Sequence, residues 1–201
     1  IVTLATMTLF QGLSYIISQS KSFSSLPAAF KFIGQGYLGN LPVSIFALIA
    51  IVAVVSFILN KTHYGRYVYA IGGNPDAAHL AGINVERVRL RTFALNGALV
   101  GLAAVLLISR SGSASSAMGT SLQFDSITAC ILGGVSFTGG SGKVSNAVLG
   151  VLCLGVLSNG MQLIGWGIYV QYVVKAILLV IAIAFDMYTK NKVLADDAAN
   201  G

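Results

Sequence analysis

Of the 201 residues, 56% are hydrophobic and only 9% are charged, and the mean hydropathy is +0.83. A soluble domain carries about a quarter charged residues, so this chain could not cover its own surface in water, which excludes an ordinary soluble domain. The net charge of +6 does not point to nucleic acid, because the basic residues stand singly or in threes between apolar runs rather than in a stripe.

In lipid, only α-helices and closed barrels satisfy their own backbone groups. Barrel strands alternate apolar and polar residues, whereas the apolar runs here are continuous. The expected fold is therefore all-α, a polytopic transmembrane helical bundle in a single membrane domain. A crossing takes about 20 mostly apolar residues. In chain order the candidate segments are Ile1–Ser18, Leu41–Leu59, Thr92–Ser109, Ser126–Thr138, Ser145–Ile164 and Ile168–Asp186. The first is already apolar at Ile1 and has no Met or basic leader before it, so an N-terminally truncated chain is expected. The fourth is short and is interrupted by Gly133-Gly134 and Gly139-Gly140, the pattern of a broken or re-entrant segment. Gly97 and Gly101 form a G-x-x-x-G pair suited to close helix approach.

Charge sets the expected orientation. The loop 60–91 carries Lys61, Arg66, Arg87, Arg89 and Arg91 against Asp76 and Glu86, and the tail 187–201 carries Lys190 and Lys192. Basic residues accumulate on the cytoplasmic side, so both regions are expected on the cytoplasmic side of the cell's inner (plasma) membrane, with the Arg110–Asp125 loop outside. Ser126–Thr138 must then be part of a crossing.

The loop contains its own punctuation. Gly72-Gly73 reads as a turn. Asn74 is a favoured N-cap, Pro75 fits the first helical position and Asp76 suits the positive helix end. Ala77, Ala78, His79, Leu80 and Ala81 continue to Gly82, a natural residue just past a helix C-terminus. Asn84 offers a second N-cap for the helix that re-enters the membrane. A small-residue surface of Ala77, Ala78, Leu80 and Ala81 is costly to leave bare unless something docks on it.

These residues carry a resemblance. Asp76-Ala77-Ala78, followed after three intervening residues by Gly82, resembles the EAA-type loop by which ABC-importer permeases engage their ATPase. More narrowly, Gly65-Arg66-Tyr67, Ala70-Ile71-Gly72-Gly73-Asn74 and Leu80-Ala81-Gly82-Ile83-Asn84-Val85 resemble the sugar-type permeases of the ribose, xylose and galactoside branch. So do Ile131-Leu132-Gly133-Gly134-Val135-Ser136, Gly139-Gly140-Ser141-Gly142, Gly155-Val156-Leu157-Ser158-Asn159-Gly160 and Val173-Val174-Lys175, all in register. Asp at 76 replaces the usual Glu, the Ile-x-Leu-Pro ending of the broader motif is absent, and Trp166 and Lys143-Val144-Ser145 look particular to this chain. The resemblance implies a non-catalytic permease subunit that imports a monosaccharide such as ribose. Its implied partners are a cytoplasmic ATP-binding subunit, an extracytoplasmic sugar-binding protein and a second permease chain. Asn74, Asp76, Ala77, Ala78, Leu80 and Gly82 would form the ATPase-coupling surface. Permeases for branched-chain amino acids, nucleosides or a furanose signal, and ion-coupled secondary transporters, are the alternatives.

Other chemistry is missing from the sequence. Gly139-Gly140-Ser141-Gly142-Lys143 fails as a phosphate loop because Phe137 and Val144 stand where Gly and Ser or Thr are needed. No cofactor is expected. His63 and His79 share one loop with no Cys or carboxylate at ligand spacing, so neither catalysis nor a metal is expected. Cys130 and Cys153 lie in apolar segments and read as small hydrophobes. No acidic residue is expected mid-span, against proton coupling. Lys175 is expected to snorkel to the interface, with pairing to a carboxylate such as Asp125 as the alternative. Asn96, Ser109, Gln123, Ser158, Asn159 and Gln162 are polar residues within or beside spans that could line a substrate path or bond neighbouring helices.

Overall fold

The computed structural model describes the backbone of residues 2–200 and the side chains of residues 2–189. Lys190 and Lys192 of the expected inner tail fall outside the described side chains, and Ile1 is not described. The elements are α1 (Val2–Ser18), α2 (Ala28–Gln35), β1 (Tyr37–Leu38), β2 (Leu41–Pro42), α3 (Val43–Lys61), α4 (His63–Gly73), α5 (Pro75–Leu80), α6 (Val85–Ser111), α7 (Leu122–Leu132), α8 (Val144–Leu163) and α9 (Ile168–Asn200). Among the described residues, α3, α6, α8 and Ile168–Thr189 of α9 are long and apolar enough to cross a membrane, and α1 and α7 are shorter apolar helices. The chain is a helical membrane bundle, as its composition requires.

The residues separate into two compact units, 1–51 with 91–120 and 52–90 with 121–201. In the first, α2 is an unforeseen short helix, followed by a β1–β2 hairpin in antiparallel register, Tyr37 opposite Pro42 and Leu38 opposite Leu41. One hydroxyl fixes α2 to the end of α6. Ser109 Oγ donates to the Phe30 carbonyl at 2.6 Å and accepts the Gly34 N–H at 2.7 Å, and its residue is fully buried. Gly34 permits this approach, since a Cβ there would meet the Arg110 backbone nitrogen. Phe23 and Ala114 add an antiparallel bridge, and the Ser18 and Ser116 hydroxyls bond at 2.6 Å.

In the second unit, α7 and α8 lie backbone to backbone. A Cβ on Gly150 would strike the Ala129 carbonyl, and one on Gly133 would strike the Asn146 carbonyl. Small residues let two helices come this close, trading side-chain volume for backbone contact and dispersion. Gly97 and Gly101, expected to serve the same purpose, have nothing among the described residues within 4 Å of either Cβ position.

The expected fourth segment is redrawn. Its helix begins at Leu122 rather than Ser126 and ends at Leu132. Eleven residues span about 16 Å against the roughly 30 Å of a bilayer core. The stretch 133–143 follows as a loop whose Gly134, Gly139, Gly140 and Gly142 all have positive φ, backbone that side-chain-bearing residues rarely adopt. Asp125, expected in the preceding loop, is thus inside the first turn of an apolar helix.

Candidate functional site

The polar segment between α3 and α6 is built from three consecutive caps. Thr62 Oγ1 donates to the Ile58 carbonyl at 2.6 Å at the end of α3, and accepts the Gly65 N–H at 3.4 Å to begin α4. Gly65 is required at this corner because a Cβ would meet the Leu59 carbonyl. Asn74 then ends α4 with its N–H on the Ala70 carbonyl, and its Oδ1 accepts the N–H groups of Asp76 and Ala77 at 3.0 Å each to start α5. Pro75 fills the first helical position and Asp76 the first turn.

The far end of α5 closes as a Schellman motif. Gly82, at φ +82°, donates to the His79 carbonyl at 2.9 Å, and Ile83 donates to the Ala78 carbonyl at 3.1 Å. Asn84 Oδ1 accepts the Arg87 N–H at 3.0 Å and starts α6. The expected helix from Asn74 to Gly82 is therefore present with both ends specified, and so is the second cap.

Two details differ from expectation. Gly72-Gly73 is not a turn but the last turn of α4, an 11-residue helix that the sequence reading passed over. The signal was Thr62 as cap with Tyr64, Tyr67, Val68 and Ile71 at helical spacing; two adjacent glycines outweighed it. Ala78 is also not part of an outward surface. It is 4% exposed, whereas Ala77 and Ala81 are exposed and Leu80 is 88% exposed. His79, Gly82, Ile83, Asn84, Val85 and Glu86 line a cleft of about 440 Å³ beside this projecting leucine.

The Gly-rich loop sits against α4. Tyr69 donates its hydroxyl to the Gly142 carbonyl at 2.9 Å. Gly72 accepts the close approach of Gly139 and Gly140, where a Cβ would come within 2.5 Å of the Gly140 nitrogen. On its other side the loop is tied to α9: Asp186 Oδ2 accepts the Phe137 N–H at 3.1 Å and the Ser136 hydroxyl at 3.4 Å. Asp186 was not singled out from sequence, since an acidic residue at a helix end reads as a solvated boundary.

Lys175 does not snorkel. Its Nζ pairs with Asp125 Oδ2 at 3.0 Å, joining α9 to α7. An isolated charge among apolar helices is expensive, so pairing is its low-energy state. Among the expected path residues, Ser109 is occupied with α2 as interhelical glue, and Ser158 is half-buried beside the ion pair. Asn96, Gln123, Asn159 and Gln162 are exposed.

Comparison with known proteins agrees with the motifs. The family described as branched-chain amino acid transport system / permease component matches residues 1–183. The ribose import permease protein of Bacillus subtilis (strain 168) is 39% identical over 188 residues, 92% of this chain and 58% of that protein. The L-arabinose transport system permease protein of Escherichia coli (strain K12) is 40% identical over 188 residues, 94% of this chain and 57% of that protein. The L-arabinose ABC transporter permease protein of Azospirillum brasilense is 36% identical over 192 residues, 96% of this chain and 57% of that protein. The chain thus spans less than two thirds of the length of these relatives. No solved structure matches it. On the strength of the match over residues 1–183 and of these relatives, the chain belongs to the branched-chain amino acid transport system / permease component family.

Proposed function

We propose that this chain is a translocating portion of the membrane subunit of an ATP-driven importer for a monosaccharide, with loop 60–91 and the C-terminal tail on the cytoplasmic side. The observation that carries the reading is α5. A six-residue helix with both ends capped holds Leu80 almost wholly exposed. Fixing so short a helix costs conformational entropy, and a bare leucine at its tip gains nothing until a partner covers it. A cytoplasmic ATPase subunit is that partner. Relatives are named for ribose and L-arabinose transport, which favours a pentose-like solute here.

The same geometry supplies a route for the stroke. Displacement of α5 moves α4 through their shared residue Asn74. α4 bears on the Gly-rich loop through Tyr69 and Gly72, and the loop bears on α9 through Asp186. A second permease chain completes the pore, with one α5 facing each ATPase, and an extracytoplasmic binding protein delivers the sugar from outside. The family's description also supports an amino-acid cargo; competition between pentoses and branched-chain amino acids for uptake separates the two.

The test of docking is Leu80→Asp in the full-length subunit, reconstituted with its ATPase and binding protein. Leu80 contributes almost no buried surface, so the amount of subunit in the membrane stays unchanged while ATPase recruitment and uptake are lost. Normal recruitment and uptake by the variant would contradict the docking assignment.

A further inference from the structure

The ion pair lies on the wall of a cavity. Asp125 and Lys175, with Ser126, Ala129, Gly155 and Ser158 among its neighbours, surround a space of about 230 Å³ between α7, α8 and α9. In the orientation proposed above, α7 and α9 start, and α8 ends, on the outer side. Asp125, Ser126, Ser158 and Lys175 then all lie within about 4–11 Å of those outer ends, at 1.5 Å rise per residue. Polar groups from three helices therefore meet at one depth in otherwise apolar segments.

A structural clasp needs only the two charges to meet, and this pair retains more. Lys175 has three N–H donors and spends one on Asp125; the carboxylate has room for several acceptor contacts and accepts this one. The side chains are 17% and 30% exposed, respectively, and both residues line the cavity, whose other walls include Leu122, Val151 and Leu154. Ser158 makes no side-chain hydrogen bond among the described residues, and Gly155, one turn away on α8, leaves open space where a larger residue would intrude.

We propose that Asp125, Lys175 and Ser158 form a receiving site for a neutral polyhydroxy solute on the outer side of the permease. A net-neutral ion pair offers adjacent strong donors and acceptors, the complement of vicinal hydroxyls that both donate and accept. It gives no net charge to attract an ionic solute. The site deepens the proposed sugar-import function and rests on its orientation.

Saturation-transfer difference NMR on the full-length subunit in nanodiscs, with ribose, arabinose and xylose in turn as probes, reads the site without the ATPase or the binding protein. The unaltered subunit gives transfer to ring protons of at least one pentose. Asp125→Asn and Ser158→Leu weaken that binding about tenfold, the worth of one hydrogen bond to a charged group or of a filled cavity. If Asp125→Asn does not reach the membrane, Ser158→Leu, which touches neither charge, decides alone. No transfer to any of the three sugars on the unaltered subunit, or undiminished transfer in Ser158→Leu, overturns the site. A subunit that gives no transfer yet imports sugar with its partners overturns the site and leaves the proposed function standing; transfer without ATP-driven import does the reverse.

Discussion

Asn74 illustrates how one side chain can govern two helices. Its backbone N–H closes α4 and its Oδ1 opens α5, so removing the amide frees two N–H groups at the start of α5. Asn74→Ala should cost about 1 kcal/mol of local stability, the usual worth of an N-cap, and should show as faster amide exchange over residues 76–82 with the membrane helices unaffected. Gly82 poses a different constraint. Open space surrounds its Cβ position, yet its φ of +82° is left-handed. Gly82→Trp should therefore reach the membrane in normal amount but lose uptake and ATPase stimulation, because strain of about 1–2 kcal/mol per left-handed residue falls on a six-residue helix with little to hold it. Unchanged transport by this variant would show that the end of α5 does not matter for coupling. Both residues were legible in the sequence, since Asn-Pro-Asp and a later Gly are local signals that need no tertiary partner.

At the scale of elements, legibility depended on whether the deciding contact was local. The long apolar helices follow from hydropathy: α3 and α8 lie within two residues of the expected bounds, whereas α6 begins seven residues before Thr92 and α9 continues past Asp186. The break after Leu132 was legible in Gly133-Gly134, but α2 was not, nor was the seat of the Gly-rich loop, because each is set by a neighbour distant in sequence: Ser109 for α2, and α8 and Asp186 for the loop. The glycines at 72 and 73 were read as a turn for the same reason. Gly72 is small because Gly140 rests on it, and no local rule encodes that. Two predictions follow from these contacts. Gly150→Val should lower the thermal stability of the purified subunit, since even its Cβ overlaps the Ala129 carbonyl and α7 and α8 cannot separate without losing their packing. Tyr69→Phe and Asp186→Asn should spare the ATPase rate but lower sugar transported per ATP by roughly fivefold, each having lost about one hydrogen bond on the route between α4 and α9. A parallel fall of ATPase and transport would instead mark these contacts as purely structural.

For the whole molecule, composition assigns the solvent and the basic loop supports the proposed direction, but neither says what drives transport. The Asp125–Lys175 pair sharpens that question, because paired ionisable groups inside a bundle are also the raw material of ion-coupled carriers. The capped α5, with Leu80 held out at its tip, argues instead for a drive applied from a partner subunit. The direct measurement is pentose uptake by proteoliposomes containing the full-length subunit, its ATPase and its binding protein. Uptake should require ATP on the side of loop 60–91, be indifferent to an imposed proton or sodium gradient, and vanish with Leu80→Asp. Uptake driven by an ion gradient in the absence of ATP would contradict the account.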